Sequence, residues 1–554
     1  MDHRRKRFRS FLLLLFVMAS LFLYLLAFLF PMLPSSTTGG TPGSIPESIR
    51  NACHAARFAS SCELALSRSS SLPSTPSASD LISAALSAAS SSVPTAQSMV
   101  QSILSASSSN PRRANAARNC LEDLDLSYRR LSRSIDLSSG GRVTDSRVFA
   151  SAALHYQYDC WSALKYVNST HQVSDTMSFL ISLSTLSSNA LAMIAALQRF
   201  GPDLTLWAPP QTERDGYWGE VSSTVGTRNN YDVHIIRHLD IKAPDLTVCA
   251  TGECDYRTVQ EAVTAATDYG TKRFVIYIKA GVYRETVTVP FQKTNIAFLG
   301  DGMGKTIITG DLNSQMIGFS TYNTATVGVF GDGFVAKNVT FENAAGPKAH
   351  QAVAFRSDSD QSVLEYVEFS GHQDTLYARS LRQLYRHCRI SGTVDFIFGN
   401  SAAIYENCEI NVVPRQESPE KGESNALTAH GRTDPGQPTG FVFKDCVVNG
   451  SDEYVSIYRR KPGAHRVYLG RPWKEFSRTV FLNCYLEEMV KPEGWLPWRG
   501  DFALRTLFYG EFENRGPGAN LTTRVSWSSQ IPADHVGIYS VENFLQSNDW
   551  LPTD

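Results

Sequence analysis

The chain has almost no net charge. Its 52 Lys and Arg stand against 53 Asp and Glu, a formal balance of −1 over 554 residues. That near-neutrality argues against a nucleic-acid binder, which needs a basic face for phosphates. No His/Cys/Asp cluster has metal-ligand spacing, so metal chemistry has no support and no cofactor is expected. One stretch, Phe11–Phe30, lacks charge and proline altogether. Twenty apolar residues are enough to span a bilayer as a helix, and Asp2–Arg9 just before them carries five Lys/Arg. Two readings fit residues 1–33: an uncleaved signal anchor with a cytoplasmic N-terminus, or a cleaved signal peptide with a long apolar core. Either sends the remaining chain into the secretory lumen. Ten cysteines, an even number, suit disulfides in that oxidising compartment. Candidate glycosylation sequons at Asn168, Asn338, Asn449 and Asn520 agree with it.

The lumenal chain changes period partway along. Residues 34–46 are rich in Pro, Ser, Thr and Gly and read as a linker. From 47 to 200 the chain is rich in Ala, Leu and Ser and poor in aromatics. Asp80–Ala89, Ala116–Ser134 and Ser178–Leu197 repeat apolar residues at three- and four-residue steps. This pattern predicts an all-α four-helix bundle. Its cysteines, Cys53, Cys62, Cys120 and Cys160, allow three pairings. Residues 201–243 read as a second linker. From 244 to 554 the pattern is all-β, with short runs such as Phe274–Ile278, Ile296–Leu299 and Ser362–Phe369 between Gly, Asn and Asp.

These strands recur at a regular step. Gln351, Gln373 and Asp395 are spaced by 22 residues, and Asp374 precedes Asp395 by 21. A step of about 20–25 residues between short strands predicts a solenoid of stacked coils. Neighbouring strands in such a stack lie about 4.8 Å apart, so residues one coil apart become lateral neighbours. A second repeat runs through His387-Cys388-Arg389-Ile390, Asn407-Cys408-Glu409-Ile410, Asp445-Cys446-Val447-Val448 and Asn483-Cys484-Tyr485-Leu486. In register, these cysteines form an inward ladder, either as buried apolar packing or as a disulfide between adjacent rungs.

Two neighbouring carboxylates and two amides suit acyl transfer at an ester. Proximity drives carboxyl pKa values apart, so one attacks while the other holds a proton. Gln351 and Gln373 are neutral donors for a developing oxyanion. Arg471 offers paired hydrogen bonds to an ionised carboxylate, and Trp473 a flat face of the kind sugar rings stack on. A glycosidase also uses two carboxylates, but leaves two glutamines on the same ladder unexplained. His372 alone reads as structural.

At this point residues 244–554 are seen to resemble plant pectin methylesterases. The resemblance is carried by Gly281-Val-Tyr-Arg-Glu285, Gln351-Ala-Val-Ala-Phe355, Gln373-Asp-Thr-Leu376, Asp395-Phe-Ile-Phe-Gly399 and Leu469-Gly-Arg-Pro-Trp473. It implies a right-handed parallel β-helix acting on methyl-esterified homogalacturonan, with pectate and methanol as products. By matching position, it makes Asp395 the nucleophile, Asp374 the acid/base, Gln351 and Gln373 the oxyanion donors and Arg471 the partner of Asp395. Gln351, Arg471, Trp473 and Trp498 would also contact substrate, and Cys408 would pair with Cys446. The helical half resembles the pectin methylesterase inhibitor domain through Cys53-x8-Cys62, Asn119-Cys-Leu-Glu-Asp-Leu124 and Ser188-Asn-Ala-Leu191. That likeness implies Cys53–Cys62 and Cys120–Cys160 pairing, and either an intramolecular contact or a separate proteinaceous inhibitor as partner. The expected destination is the cell wall, with a Golgi or plasma-membrane tether if the N-terminal segment is kept.

Several features depart from the family pattern. His430 stands where the family commonly has glutamine, and His372 where tyrosine is common. Cys249 and Cys254 bracket the entry to the first coil, and the linker lacks the dibasic Arg-Arg/Lys-Leu-Leu signature, for which Arg237-His238-Leu239 is a poor substitute. The alternatives are a catalytically silent wall-binding protein of the same fold, an inhibitor acting through its helical half, and a β-helical lyase or glycosidase that would shorten the polymer.

Overall fold

A computed structural model describes residues 45–219, 243–416 and 418–551. The apolar N-terminal segment, and with it the anchor or signal peptide, lies outside the described residues, as do 34–44 and 220–242 of the two linkers. Two short helices, α1 (Glu47–His54) and α2 (Ala59–Ser67), precede four long ones: α3 (Ala78–Ser105), α4 (Pro111–Ser139), α5 (Val143–Lys165) and α6 (His171–Phe200). Local chemistry sets their starts. Ser77 and Asp80 form a reciprocal capping box on α3, Asn110 caps α4 ahead of Pro111, and Thr170 caps α6. Each long helix packs on its chain neighbours, and α3 closes the ring against α6. Disulfides join Cys53 to Cys62 and Cys120, on α4, to Cys160, on α5.

Beyond Leu246 the described strands form three parallel sheets of 11, 7 and 8 strands, the architecture of a right-handed parallel β-helix. The sharp corner leading into the eight-stranded sheet explains the second sequence repeat. Asn338, Tyr366, His387, Asn407, Asp445 and Asn483 all have φ between 49° and 58°. A single left-handed residue turns the chain there, and Asn and Asp tolerate it best. The next residue, Val339, Val367, Cys388, Cys408, Cys446 or Cys484, then points into the core.

The pairing of Arg389 with Glu409, Glu409 with Val447 and Val447 with Tyr485 sets the four cysteines one rung apart. All four are buried free thiols. The Cys408–Cys446 bond implied by resemblance is not formed. Their sulfurs donate instead to backbone carbonyls, Cys408 to Glu406 at 3.4 Å and Cys446 to Tyr405 at 3.2 Å. A disulfide does close Cys249–Cys254 at the first coil. Beside the thiols, Tyr385, Tyr405, Phe443 and Phe481 stack at centroid spacings of 4.8, 4.5 and 4.5 Å. The rings thus follow the strand spacing, and each coil extends one continuous core.

The helical bundle docks on this β-helix. Leu126, Leu137, Val148, Phe149 and Tyr156 meet Phe330 and Leu381 in an apolar cluster. Around it, charge is paired across the seam. Arg130 grips Asp332 through two bonds of 2.6 and 2.8 Å. Arg382 binds Asp145 of α5 and Asp360 of its own domain, and Asn119 exchanges amide hydrogen bonds with Asn323. At the centre lies Arg379, fully buried, which donates to Asp123 of α4, Asp159 of α5 and Asp358.

Candidate active site

The seven-stranded sheet orders its strands His465–Gly470, Glu423–His430, Val394–Gly399, Leu376–Ala378, Phe355–Ser357, Val327–Val329 and Val287–Val289. Gln351 bridges Gln373 in parallel register, a step of 22 residues. One strand further the step is 21: Leu376 pairs with Ile397, and the Asp374 N–H reaches the Val394 carbonyl at 3.2 Å. The lateral neighbour of Asp395 is therefore Asp374, with Gln373 next to it on the same coil and Gln351 one coil before. The two spacings seen in sequence are two registers of one sheet.

Both aspartates occupy left-handed backbone, with φ of 64° at Asp374 and 53° at Asp395. Pairing with the next strand slips between Val394 and Ile397, so Asp395 sits in a bulge. A bulge re-aims a side chain, and here it meets Arg471, just beyond the strand His465–Gly470. The guanidinium holds the carboxylate twice, Nε to Oδ1 at 2.7 Å and Nη2 to Oδ2 at 2.6 Å. Trp498 lies under that guanidinium, 4.4 Å from its ring centre.

The two carboxyl groups differ electrostatically. Burial pushes both upward. For Asp395 the Arg471 hydrogen bonds and charge pull back. Asp374 has the Asp395 charge working against it as well, with only the Coulomb pull of Arg471 in its favour, and is driven well above the usual carboxylate range. Of the two, Asp374 is therefore the carboxyl whose surroundings favour the protonated form more strongly. Gln351 accepts from Ser314 Oγ at 2.6 Å through its side-chain oxygen, which leaves the NH2 end of that amide to donate elsewhere.

Trp473 packs edge-on against Phe398 at 6.0 Å, and Phe398 stacks on Tyr377 at 4.2 Å. Gly431 makes room for this ring: a Cβ there would sit 3.0 Å from Trp473 Cε3. His430 is not part of the aromatic wall. It is fully buried, its Nδ1 accepts from the Arg478 N–H at 3.1 Å, and burial drives its pKa well down. His372 is half-buried, and burial lowers its pKa too. Asn168 and Asn520 are exposed, whereas Asn338 and Asn449 are half-buried.

One part of the surroundings escaped sequence reasoning. The end of α5 reaches the aromatic wall. Asp159 accepts from Tyr377 Oη at 3.5 Å and from Arg379, and Tyr158 Oη lies 3.3 Å from Lys474 Nζ. That ammonium lies 4.6 Å from the ring centres of both Tyr158 and Trp473. The available signal was compositional: Tyr156, Tyr158 and Trp161 cluster in a half that is otherwise poor in aromatics.

Comparison with known proteins agrees with this architecture. The family described as Pectinesterase matches residues 245–548, and the plant invertase/pectin methylesterase inhibitor family matches 47–193. A curated relative from Arabidopsis thaliana, "Probable pectinesterase/pectinesterase inhibitor 64", is 49% identical over 509 residues, covering 91% of this chain and 84% of that protein. "Pectinesterase/pectinesterase inhibitor PPE8B" of Prunus persica is 39% identical over 455 residues, covering 80% of this chain and 82% of that one. Among solved structures, pectin methylesterase from carrot is 43% identical with a TM-score of 0.53, covering 56% of this chain and 98% of that chain.

Proposed function

The chain belongs to the plant pectinesterase family, with an inhibitor-type domain ahead of the catalytic one, and from that premise we propose how its own residues divide the work. Asp395 attacks the methyl-ester carbonyl at C6 of a galacturonate unit in homogalacturonan. The tetrahedral oxyanion is met by the side-chain amides of Gln351 and Gln373. Asp374, protonated at the start, gives its proton to the departing methanol. It then takes one from the water that opens the acyl-enzyme. Arg471 keeps Asp395 ionised in spite of its burial, and Trp473 and Trp498 offer faces to the sugar rings.

The observation that carries this reading is the asymmetry of the pair. One carboxylate is clamped at both oxygens by Arg471, and its lateral neighbour is driven well above the usual carboxylate range. The two glutamines beside the pair favour an esterase over a glycosidase, since they have no task in glycoside cleavage. Methanol release from methylated pectin tests it. Asp395→Ala should abolish release in a folded protein, and retained turnover would remove Asp395 from the mechanism.

The helical domain is assigned a restraining role on the same enzyme. Tyr158 and Asp159 occupy the flank of the aromatic wall, where polymer would pass Trp473 and Tyr377. The division at 200–244 then separates an inhibitory pro-domain from the enzyme proper, and the protein acts in the cell wall after secretion. Residues 241–554 should release methanol faster than the full chain; equal rates would show that docking does not restrain catalysis.

A further inference from the structure

A second concave site lies apart from the carboxylate pair. It is a cavity of about 520 Å3 where five parts of the chain converge. Arg147 comes from α5, Gln198 and Arg199 from the end of α6, and Glu213 and Tyr217 from the linker. Arg432 and Arg478 come from the β-helix, and Tyr539, Asn543 and Phe544 from the C-terminal turns. None of the groups assigned to ester hydrolysis lines it.

Its charge is one-sided. Among the described residues, four arginines line the cavity and Glu213 is the one acidic residue with them. Arg199 is occupied with Gln211 Oε1 at 2.9 Å and with the face of Tyr217. Arg147 donates Nε to the Gly436 carbonyl at 2.8 Å and Nη1 to Gln198 at 2.9 Å, two neutral acceptors. Arg432 is 2% exposed and spends Nη2 on the Pro435 carbonyl at 2.6 Å. Arg478, 9% exposed, has a 3.4 Å ion pair from Nη1 to Glu213 Oε1. The Nε atoms of Arg432 and Arg478 have no partner among the described residues. The nearby Asp434 is committed elsewhere, to the Ser188 hydroxyl, Arg57 and the Gly436 N–H. Burial, with Arg478 as the next contributor, lowers Arg147 to about 10 against the upward pull of Tyr217, Glu213 and Asp434.

Buried guanidiniums in excess of carboxylates are costly unless an anion completes them. Guanidiniums bind planar or tetrahedral oxyanions through paired hydrogen bonds, and Arg147, Arg432 and Arg478 all line this cavity. We propose that this cavity binds a small oxyanion-bearing ligand, a phosphate or the carboxylate of a single uronic acid, held between Arg147 of the helical domain and Arg432 and Arg478 of the β-helix. The volume accommodates one sugar acid as readily as an inorganic ion. Because its arginines come from both domains, the ligand also fastens one to the other.

Calorimetric titration of the full chain tests this without reference to catalysis. Inorganic phosphate and galacturonic acid are titrated separately, at constant ionic strength in chloride. Saturable one-to-one binding of at least one titrant is expected, weakened about tenfold or more by Arg147→Gln and by Arg478→Gln, as the loss of a charge-assisted hydrogen bond dictates. Phosphate as the tighter titrant assigns an inorganic ligand, and galacturonate as the tighter one assigns a uronate; both support the site. Should Arg478→Gln fail to fold, the half-buried Arg147 decides alone. Absence of saturable binding by either titrant overturns the inference. So does binding that Arg147→Gln leaves unchanged, or that is lost in Asp374→Asn, since the titrant would then lie in the groove.

Discussion

Two clusters of aspartates gather around arginines of the same β-helix and teach different lessons. Around Arg471 there are Asp395 and Asp374; around Arg379 there are Asp123, Asp159 and Asp358. Each cluster has fewer guanidiniums than carboxylates, and each leaves one acid strongly raised. In the first that acid is Asp374. In the second it is Asp123, which burial pushes up to about 8 against the pull of Arg379. A raised carboxyl is therefore no mark of catalysis by itself. What separates the clusters is their company. Asp374 and Asp395 have Gln373 on the coil of Asp374, Gln351 one coil before, and an aromatic wall beside them. Asp123 and Asp159 come from another domain and complete an arginine that is otherwise sealed.

The sharpest way to break the comparison is to neutralise one acid in each cluster. In residues 241–554, Asp374→Asn should lower kcat for methanol release by a factor on the order of 10^2–10^4, the range for a lost general acid. Asp123→Asn in the full chain should cause no such loss. Next in size is Arg379→Ala, which removes the partner shared by Asp123, Asp159 and Asp358. Breaking a buried ion pair costs about 3–5 kcal/mol, so thermal denaturation of the full chain should show the helical domain released early.

The pH dependence of docking sharpens the contrast further. The Asp123 carboxyl keeps its proton up to about pH 8 when folded, whereas an unfolded aspartate loses it near pH 4, or about 3.9. Its contribution is full below the unfolded value and declines as pH climbs towards 8. Melting temperatures of the full chain should fall from pH 5 to pH 8, and Asp123→Asn should flatten that slope. The smallest effect is expected at His430. It is sealed behind the wall and held neutral by burial, so His430→Gln should leave the pH profile of methanol release unmoved.

The coil repeat was legible because every rung reuses the same two devices, an inward apolar residue and a left-handed corner. The corner residue announced itself as Asn, Asp or His before Cys. The carboxylate pair was legible for a related reason, since lateral neighbours in a parallel stack differ by one coil. Both spacings, 22 and 21, stand in the sequence, but where the register passes from one to the other was not legible. The change arises from backbone irregularity between Gln351 and Phe355, which no side chain signals. The Arg379 cluster was also hidden. Two of its carboxylates, Asp123 and Asp159, come from α4 and α5, more than 200 residues before the arginine, and no periodicity connects a helix surface to a distant coil. The thiol ladder shows the opposite failure: its register was visible, but likeness pointed to a Cys408–Cys446 bond that the structure does not contain.

The account rests most directly on the division of labour between Asp374 and Asp395, and one assay reaches it. Residues 241–554 with Asp395→Asn, Asp374→Asn or neither are mixed with methyl-esterified homogalacturonan, and methanol is followed after folding has been verified. The account predicts release by the unaltered chain, none detectable with Asp395→Asn, and a kcat loss with KM little changed for Asp374→Asn. Turnover retained by Asp395→Asn, or lost in all three folded proteins, would contradict it.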